Sequence, residues 1–228
     1  ASGRDSLEIV RLLCDAGIAI ADFVVGTKST VATMDFAAIR ERLGLPLFVK
    51  PANLGSSVGI HKGNSESGFY AALEDAFRFD GKIIVEAFVK GREIECSVLG
   101  NDNPLASLPG EIIPRHEFYS YDAKYIDNAG ADLAIPAQLA EETVLEVQAL
   151  AVKVFQVLCC EGMARVDFFL TEDAQLIVNE INTIPGFTRI SMYPKLWEAS
   201  GLPYPALIDR LIELALERHA REQRLALV

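Results

Sequence analysis

The chain has 228 residues, 50% of them hydrophobic, and its 21 Lys and Arg against 32 Asp and Glu give a formal net charge of −11. This composition excludes a disordered chain and suits one large domain or two small ones with a substantial core. The negative charge, without a basic cluster, argues against nucleic acid as a partner. No apolar run could span a bilayer and no leader stands at the start, so we expect a cytoplasmic protein without a membrane partner.

The four cysteines have neither the spacing of a disulfide framework nor that of a metal site. They are Cys14, Cys96, Cys159 and Cys160, and each lies within an apolar pattern. We therefore expect four reduced residues in or near the core.

The first part of the chain predicts alternating helices and strands. Apolar residues at helical spacing predict helices at 6–16, 35–43 and around 69–77, with Gly17 and Gly44 ending the first two. Short apolar runs predict strands at 18–25, 45–49, 82–89 and 93–99, and alternation resumes at 58–60. This pattern indicates mixed α and β structure.

A polar loop follows the strand that carries Lys50. Gly55 would let the backbone approach a ligand, and Ser56 and Ser57 can donate hydrogen bonds to phosphate oxygens. Such a loop is by itself more often an ordinary turn. Lys50 suits an anionic ligand, although an edge lysine reaching for solvent gives the same pattern.

Two acidic residues flank the end of the strand at 82–89. Glu86 and Glu93 surround an apolar stretch, which suits adenine, while carboxylates suit ribose hydroxyls. Composition alone equally fits a hairpin with surface acids. Residues 116–137 then form a polar, aromatic-rich stretch without a clear period, a length typical of a functional or disordered loop.

The last part of the chain predicts a long helix over 144–158, a hairpin, and helices near 195–199 and 207–215, the last carrying Leu207, Ile208, Leu211, Ile212 and Ala215. In the hairpin, strand alternation puts Arg165 and Asp167 on one face, and Glu180 and Asn182 on the matching face. Residues 171–175 predict the connection. Oxygen ligands of this kind suit magnesium or manganese, whose coordination shell is usually completed by phosphate oxygens.

The alternative is a solvated sheet face with surface ion pairs. Asn182 argues against it, because asparagine has a low strand propensity and no charge to pair. The hairpin therefore indicates a metal site that needs a nucleotide.

Taken together, these motifs resemble the ATP-grasp ligases, and within them the D-alanine–D-alanine ligase family, over its central and C-terminal domains. The likeness is carried, in order, by residues 48–59, 85–96, 118–125, 162–167, 179–188 and 190–197. It implies an α+β ATP-grasp fold of two α/β subdomains, residues 1–89 and 90–228, whose largely antiparallel sheets sandwich ATP. From the resemblance we expect the family's N-terminal domain, which precedes the ATP-grasp part, to be absent here.

The resemblance implies ATP-dependent ligation of two D-alanines through an acylphosphate, for peptidoglycan precursor synthesis. The implied ligands are ATP, D-alanine and two Mg²⁺ ions, with Mn²⁺ as an alternative, and the full-length enzyme is expected to be a homodimer. This chain alone is expected to be inactive. The alternatives are another acceptor, such as D-lactate, or a non-catalytic ATP-binding fragment, because Ser6 stands where the family has a phosphate-binding lysine.

The same resemblance implies a role for individual residues. The metal ligands would be Asp167, Glu180 and Asn182, and the catalytic residues Ser56, Tyr125 and Arg165. ATP would be bound by Lys50, Ser56, Ser57, Glu86, Ala87, Phe88, Val89, Glu93, Phe118, Lys124 and Phe169. D-Alanine would be bordered by Arg165, Gly186, Ser191 and Met192. The form of the loop that ends in Tyr125 favours a dipeptide product.

Overall fold

The structure, a computed structural model, describes residues 6–53, 59–114 and 131–225. These divide into two compact units, one of residues 6–90 with 114 and 131, the other of residues 91–113 and 132–225. Each unit contains one sheet with helices packed on it, as predicted for an α+β chain. None of the described helices is long and apolar enough to cross a membrane.

The first unit contains a four-stranded sheet in the order β1-β4-β2-β3, with antiparallel pairs. Its elements are α1 (Ser6–Asp15), β1 (Phe23–Thr27), a 3₁₀ turn (Val31–Thr33), α2 (Phe36–Leu43), β2 (Leu47–Pro51), β3 (His61–Gly63), α3 (Glu66–Phe79) and β4 (Lys82–Ala87).

The three helices predicted for this unit are confirmed. Side-chain caps mark the start of two of them. The Asp35 carboxylate accepts hydrogen bonds from the backbone of Ala37 and Ala38 and caps α2. Ser65 caps α3 in the same way. The predicted strand at 18–25 is wrong in its start, because Gly17 and Ile18 still close the end of α1 through backbone hydrogen bonds. Pairing with β4 begins only at Phe23.

The two faces of the first sheet differ in character. Leu47, Val49 and Val85 point into an apolar core shared with α2 and α3. Lys50 and Glu86 are half-buried on the other face, where Ile84 packs against Leu7 of α1. Strand alternation therefore separates the core from a face that carries charged residues.

The second unit contains a six-stranded sheet in the order β10-β9-β5-β7-β8, with β6 paired to β5. Its elements are β5 (Arg92–Gly100), β6 (Leu105–Ala106), β7 (Gly110–Pro114), β8 (Ala131–Ala134), α4 (Glu141–Val157), β9 (Gly162–Leu170), β10 (Leu176–Asn182), α5 (Met192–Ala199) and α6 (Tyr204–Gln223).

The helices of the second unit differ from the sequence prediction at one boundary. Helix α5 begins at Met192, earlier than predicted. Helix α6 buries Leu207 and Leu214, whereas its apolar residues Ile208 and Ile212 are 38% and 55% exposed. Only one edge of the apolar face of α6 meets Tyr193 and Trp197 in the core.

The cysteine prediction is right about chemistry and partly wrong about location. All four are free thiols, and Cys96 is buried. Cys14 and Cys159 are exposed, which contradicts their expected place in or near the core. Cys14 lies on the outer side of α1, and Cys159 lies in the turn after α4, beyond the buried stripe.

Candidate functional site

The hairpin of β9 and β10 is confirmed as predicted. Thr171 closes the turn, accepting a hydrogen bond from the Gln175 backbone on its hydroxyl and donating its own N–H to the Gln175 carbonyl. The register places Glu180 opposite Asp167 and Asn182 opposite Arg165. The four predicted polar residues therefore share one face of the sheet.

A β-bulge makes this arrangement compatible with the core. The register shifts between Val178 and Glu180, so Val178 lies opposite the buried Phe168 while Glu180 lies opposite Asp167. In regular alternation, residues 178 and 180 would share a face. The extra residue, Asn179, lets Val178 remain buried while Glu180 joins the polar face.

Short polar contacts join the members of this face. Arg165 donates to both carboxylate oxygens of Asp167, at 2.6 Å from Nε and 2.7 Å from Nη2. The Nδ2 atom of Asn182 lies 3.1 Å from Asp167 Oδ2 and 3.1 Å from Glu180 Oε1. The structure thus brings together all three predicted metal ligands and the predicted catalytic arginine.

Glu95, which the sequence analysis did not select, is a fifth member of the group. It lies on β5 opposite Asp167, and its Oε2 is 3.0 Å from Arg165 Nε. The sequence contains one indication of its role: Glu95 shares a strand face with Glu93, two residues earlier. Only the pairing of β5 with β9, which are distant in sequence, shows that this face meets Arg165.

The electrostatics of the cluster are unbalanced. Glu95, Asp167 and Glu180 oppose the single guanidinium of Arg165, which leaves two excess negative charges when all four are ionised. Burial raises the pKa of the Asp167 carboxyl group above its ordinary value, Arg165 opposes the shift, and Glu180 adds to it. Burial tends to lower the pKa of Arg165, but the neighbouring carboxylates, Asp167 first, outweigh it and raise the pKa.

The donor set fits a hard divalent cation. Two carboxylates and one amide oxygen are ligands that Mg²⁺ or Mn²⁺ accepts, and a dication would balance the two excess charges. Among the described residues, no group of three His, Cys, Asp or Glu side chains is disposed to hold a metal, so an amide, water or ligand oxygens must complete the shell. Asn182 would have to turn its amide, since its nitrogen now faces both carboxylates.

Two residues predicted to contact adenosine lie on the same face of the second sheet. Phe169 is two residues along β9 from Asp167, and Glu93 of β5 lies directly opposite it. Both are half-buried. The two side chains therefore extend the polar face of the hairpin along the strands.

Apart from Arg165 on β9, the residues predicted to border D-alanine lie in the segment after β10 and at the first residue of α5. A Cβ atom on Gly186 would be 3.0 Å from Ser191 Oγ, so these two residues are in close contact. The Ser191 hydroxyl lies 3.0 Å from the Thr188 nitrogen and 2.9 Å from the Thr188 hydroxyl. Met192 has a buried side chain at the start of α5, so any ligand contact there would involve its backbone.

The first unit holds the other predicted ATP-binding residues. Lys50 Nζ and Glu86 Oε1 form an ion pair of 2.6 Å, with 20% and 16% of the side chains exposed. Ala87 is the last residue of β4, and Val89 is half-buried just after it. The ring of Phe88 is 6.1 Å from that of Phe48 and is 45% exposed.

Five predicted site residues lie outside the described residues. They are Ser56, Ser57, Phe118, Lys124 and Tyr125. Their roles stay predictions.

Residues 12–213 match a family model described as "D-ala D-ala ligase C-terminus". A protein named D-alanine–D-alanine ligase from Shouchella clausii is 58% identical over 215 residues, 94% of this chain and 58% of that protein. The chain therefore spans little more than half the length of this relative.

Two solved structures resemble the fold. The D-alanine–D-alanine ligase from Coxiella burnetii superposes with a TM-score of 0.86 and 42% identity, over 96% of this chain and 58% of that one. The D-alanine–D-alanine ligase from Bacillus anthracis, complexed with ATP, gives 0.79 and 28% identity, over 96% and 67%. These neighbours confirm the predicted α+β fold of the ATP-grasp type.

Proposed function

Because the chain belongs to the D-alanine–D-alanine ligase C-terminal family, we propose that it is the ATP-grasp part of a ligase that joins two D-alanines. ATP would activate the first D-alanine as an acylphosphate, and the amine of the second would displace phosphate to give D-alanyl-D-alanine for peptidoglycan precursors. The observation that carries this proposal is the hydrogen-bonded cluster of Arg165, Asp167, Glu180 and Asn182, with its excess of negative charge.

We assign the two ATP-grasp subdomains to residues 1–89 and 90–228. The division of the contacts into units that meet between residues 90 and 91 supports this boundary. Lys50, Glu86 and Phe88 then belong to the first subdomain, and Glu93 and Phe169 belong to the second.

Lys50 is proposed to bind a phosphate group of ATP. Its ammonium is now neutralised by Glu86 at 2.6 Å, and phosphate oxygens would compete with that carboxylate for the same donors. Glu86, Ala87, Phe88 and Val89 would then contact the adenine, and Glu93 the ribose. The partial burial of the Lys50–Glu86 pair strengthens either interaction relative to one in open water.

Arg165 is proposed to stabilise the negative oxygens of the acylphosphate and of the tetrahedral intermediate. Its raised pKa keeps the guanidinium charged, and its planar donors match phosphate geometry. Asp167, Glu180 and Asn182 would hold two Mg²⁺ ions, or Mn²⁺, which neutralise the charge of the transferred phosphoryl group. Gly186, Ser191 and Met192 would border the carboxylate of the second D-alanine.

We place the reaction in the cytoplasm, because ATP is its substrate. We also propose that the complete protein is a homodimer, which light scattering on that protein would test.

The test is a coupled assay of the complete protein that contains this chain, with ATP, Mg²⁺ and D-alanine. We expect release of phosphate together with D-alanyl-D-alanine. D-Lactate and D-serine, offered separately as acceptors, are expected to give much less product. Phosphate release with D-lactate but not with D-alanine would overturn the choice of acceptor.

Calorimetry on the 228-residue chain tests the nucleotide site by itself. We expect ATP to bind in the presence of Mg²⁺, and Asp167→Asn to weaken binding. Asp173→Asn is the matched control, because Asp173 is an exposed residue in the turn of the same hairpin. Absence of ATP binding by the unaltered chain would refute the nucleotide assignment.

A further inference from the structure

Glu95 is buried beside the arginine of the proposed site, although neither the motifs nor the chemistry of metal ligands assigns it a role. It is 5% exposed, lies in the middle of β5, and faces Asp167 across the sheet. Its Oε2 atom is 3.0 Å from Arg165 Nε. A buried carboxylate raises the free energy of the folded state unless a cation lies beside it. The position of Glu95 beside a guanidinium that already pairs with Asp167 therefore requires an explanation.

One guanidinium serves two buried carboxylates here. Asp167 engages Nε and Nη2 of Arg165, while Glu95 approaches Nε alone. If Asp167 binds a divalent cation, its oxygens share their electron pairs with that ion and hold the guanidinium less strongly. Glu95 is then the buried partner that can keep Arg165 in place.

A second ion pair in the same sheet joins a buried carboxylate to an arginine whose side chain is 42% exposed. Glu111 of β7 is 9% exposed and accepts two hydrogen bonds from Arg92, at 2.8 Å and 2.6 Å. Arg92 also donates to the Gln138 carbonyl. This pair contains one cation and one anion, and no site residue takes part in it.

We infer that Glu95 is a positioning residue, which keeps Arg165 in place when Asp167 binds a divalent cation. The inference rests on the proposed function, since it takes Asp167 as a metal ligand. Without Glu95, the only buried carboxylate beside the guanidinium among the described residues of the cluster is Asp167, and a cation must displace the complete bidentate pair. The arginine would also lose its anchor after that displacement.

The test measures Mn²⁺ binding to the 228-residue chain with ATP, by electron paramagnetic resonance of free Mn²⁺. We expect Glu95→Gln, which keeps the shape and removes the charge, to weaken Mn²⁺ binding about 10-fold, the scale of a lost supporting contact at a metal site. Glu111→Gln is the matched control. It removes an equally buried charge from the same sheet, and we expect it to change Mn²⁺ affinity by less than about 2-fold.

A second variant, Glu95→Asp, separates positioning from simple charge. It keeps the negative charge but draws the carboxylate back from Arg165, so we expect Mn²⁺ binding to weaken by at least about 3-fold. Unchanged affinity in this variant would overturn the inference, as would unchanged affinity in Glu95→Gln. The Asp variant also provides the test if the Gln variant does not fold.

The same experiment distinguishes this inference from the proposed function. An unaltered chain that binds no Mn²⁺ with ATP would refute the metal assignment itself. An unaltered chain that binds Mn²⁺, with both Glu95 variants matching it, would refute only the role of Glu95.

Discussion

The two units of the chain hold their charged residues in different electrostatic states. In the first unit, one cation and one anion, Lys50 and Glu86, form a balanced pair with 20% and 16% of their side chains exposed. In the second, Arg165 faces the carboxylates of Glu95, Asp167 and Glu180, and two of these residues are almost fully buried.

This difference indicates that the second unit, and not the first, requires an additional cation. A balanced pair of one cation and one anion needs no further ion to neutralise it. Buried carboxylates in excess of their cations destabilise the fold unless a positive ion joins them. The second unit is therefore less stable to unfolding than it would be with balanced charges, an arrangement that is common at functional sites.

The largest expected effect comes from removing a carboxylate of the second unit. Glu180→Gln in the complete protein should lower kcat/KM for ligation at least about 100-fold, because the metal and the phosphoryl group lose a charged ligand. Glu180 is exposed, so the thermal unfolding temperature should stay close to that of the unaltered protein. Steady-state kinetics and calorimetric melting measure the two quantities.

Glu172→Gln, in the turn of the same hairpin, is the control, and it should leave turnover unchanged. Near-normal ligation by Glu180→Gln would show that the cluster does not bind the catalytic metal.

The next largest effect is on the free energy of unfolding, when the cation of each unit is removed in turn. Arg165→Met should lower the free energy of unfolding by about 3–5 kcal/mol, because Asp167 and Glu95 would remain buried without their guanidinium. Lys50→Met should cost less, about 2 kcal/mol, since it leaves only one carboxylate without its cation, and Glu86 is more exposed than Glu95 or Asp167. Urea unfolding of both variants, followed by circular dichroism, measures the difference. Equal losses would contradict the electrostatic contrast between the units.

The smallest expected effect concerns the ends of two helices with the same hydrogen bonds. Helix α1 ends with Gly17 and Ile18 donating to Cys14 and Leu13. Helix α4 ends with Cys159 and Cys160 donating to Gln156 and Phe155. The left-handed residue is a glycine in the first case (φ 66°) and a cysteine in the second (φ 51°).

Glycine is the usual residue at this position, because a Cβ atom is strained at positive φ. Cys159→Gly should therefore raise the free energy of unfolding by about 0.5 kcal/mol, the relief of strain less the added freedom of the unfolded chain. Gly17→Ala should lower it by about 1 kcal/mol. Both changes are measured by urea unfolding, and a Cys159→Gly variant less stable than the unaltered chain would contradict this account.

Much of the fold was predictable from local signals. Helices α2 and α3 begin at the side-chain caps Asp35 and Ser65, and Gly44 ends α2 at a positive φ. Capping and turn chemistry act between residues a few positions apart, so they can be read from the chain. The strand predicted at 18–25 failed in its start, because the closure of α1 competed with pairing to β4.

The exposures of α6 and of the cysteines were less predictable. The apolar period of α6 is present in the sequence, but only packing against Tyr193 and Trp197 decides that Leu207 is buried while Ile212 is exposed. Cys14 and Cys159 have apolar neighbours in sequence and solvent in space. Burial is a property of the partner surface, and periodicity does not identify the partner.

The sequence by itself determined that Arg165, Asp167, Glu180 and Asn182 share one face of a hairpin, since strand alternation and a short turn act locally. Only the tertiary structure decided the rest of the cluster. The bulge at Asn179 reconciles the polar face with the core, and the pairing of β5 with β9 brings Glu95 to Arg165. Strand pairing depends on contacts between segments far apart in the chain, which local patterns do not specify.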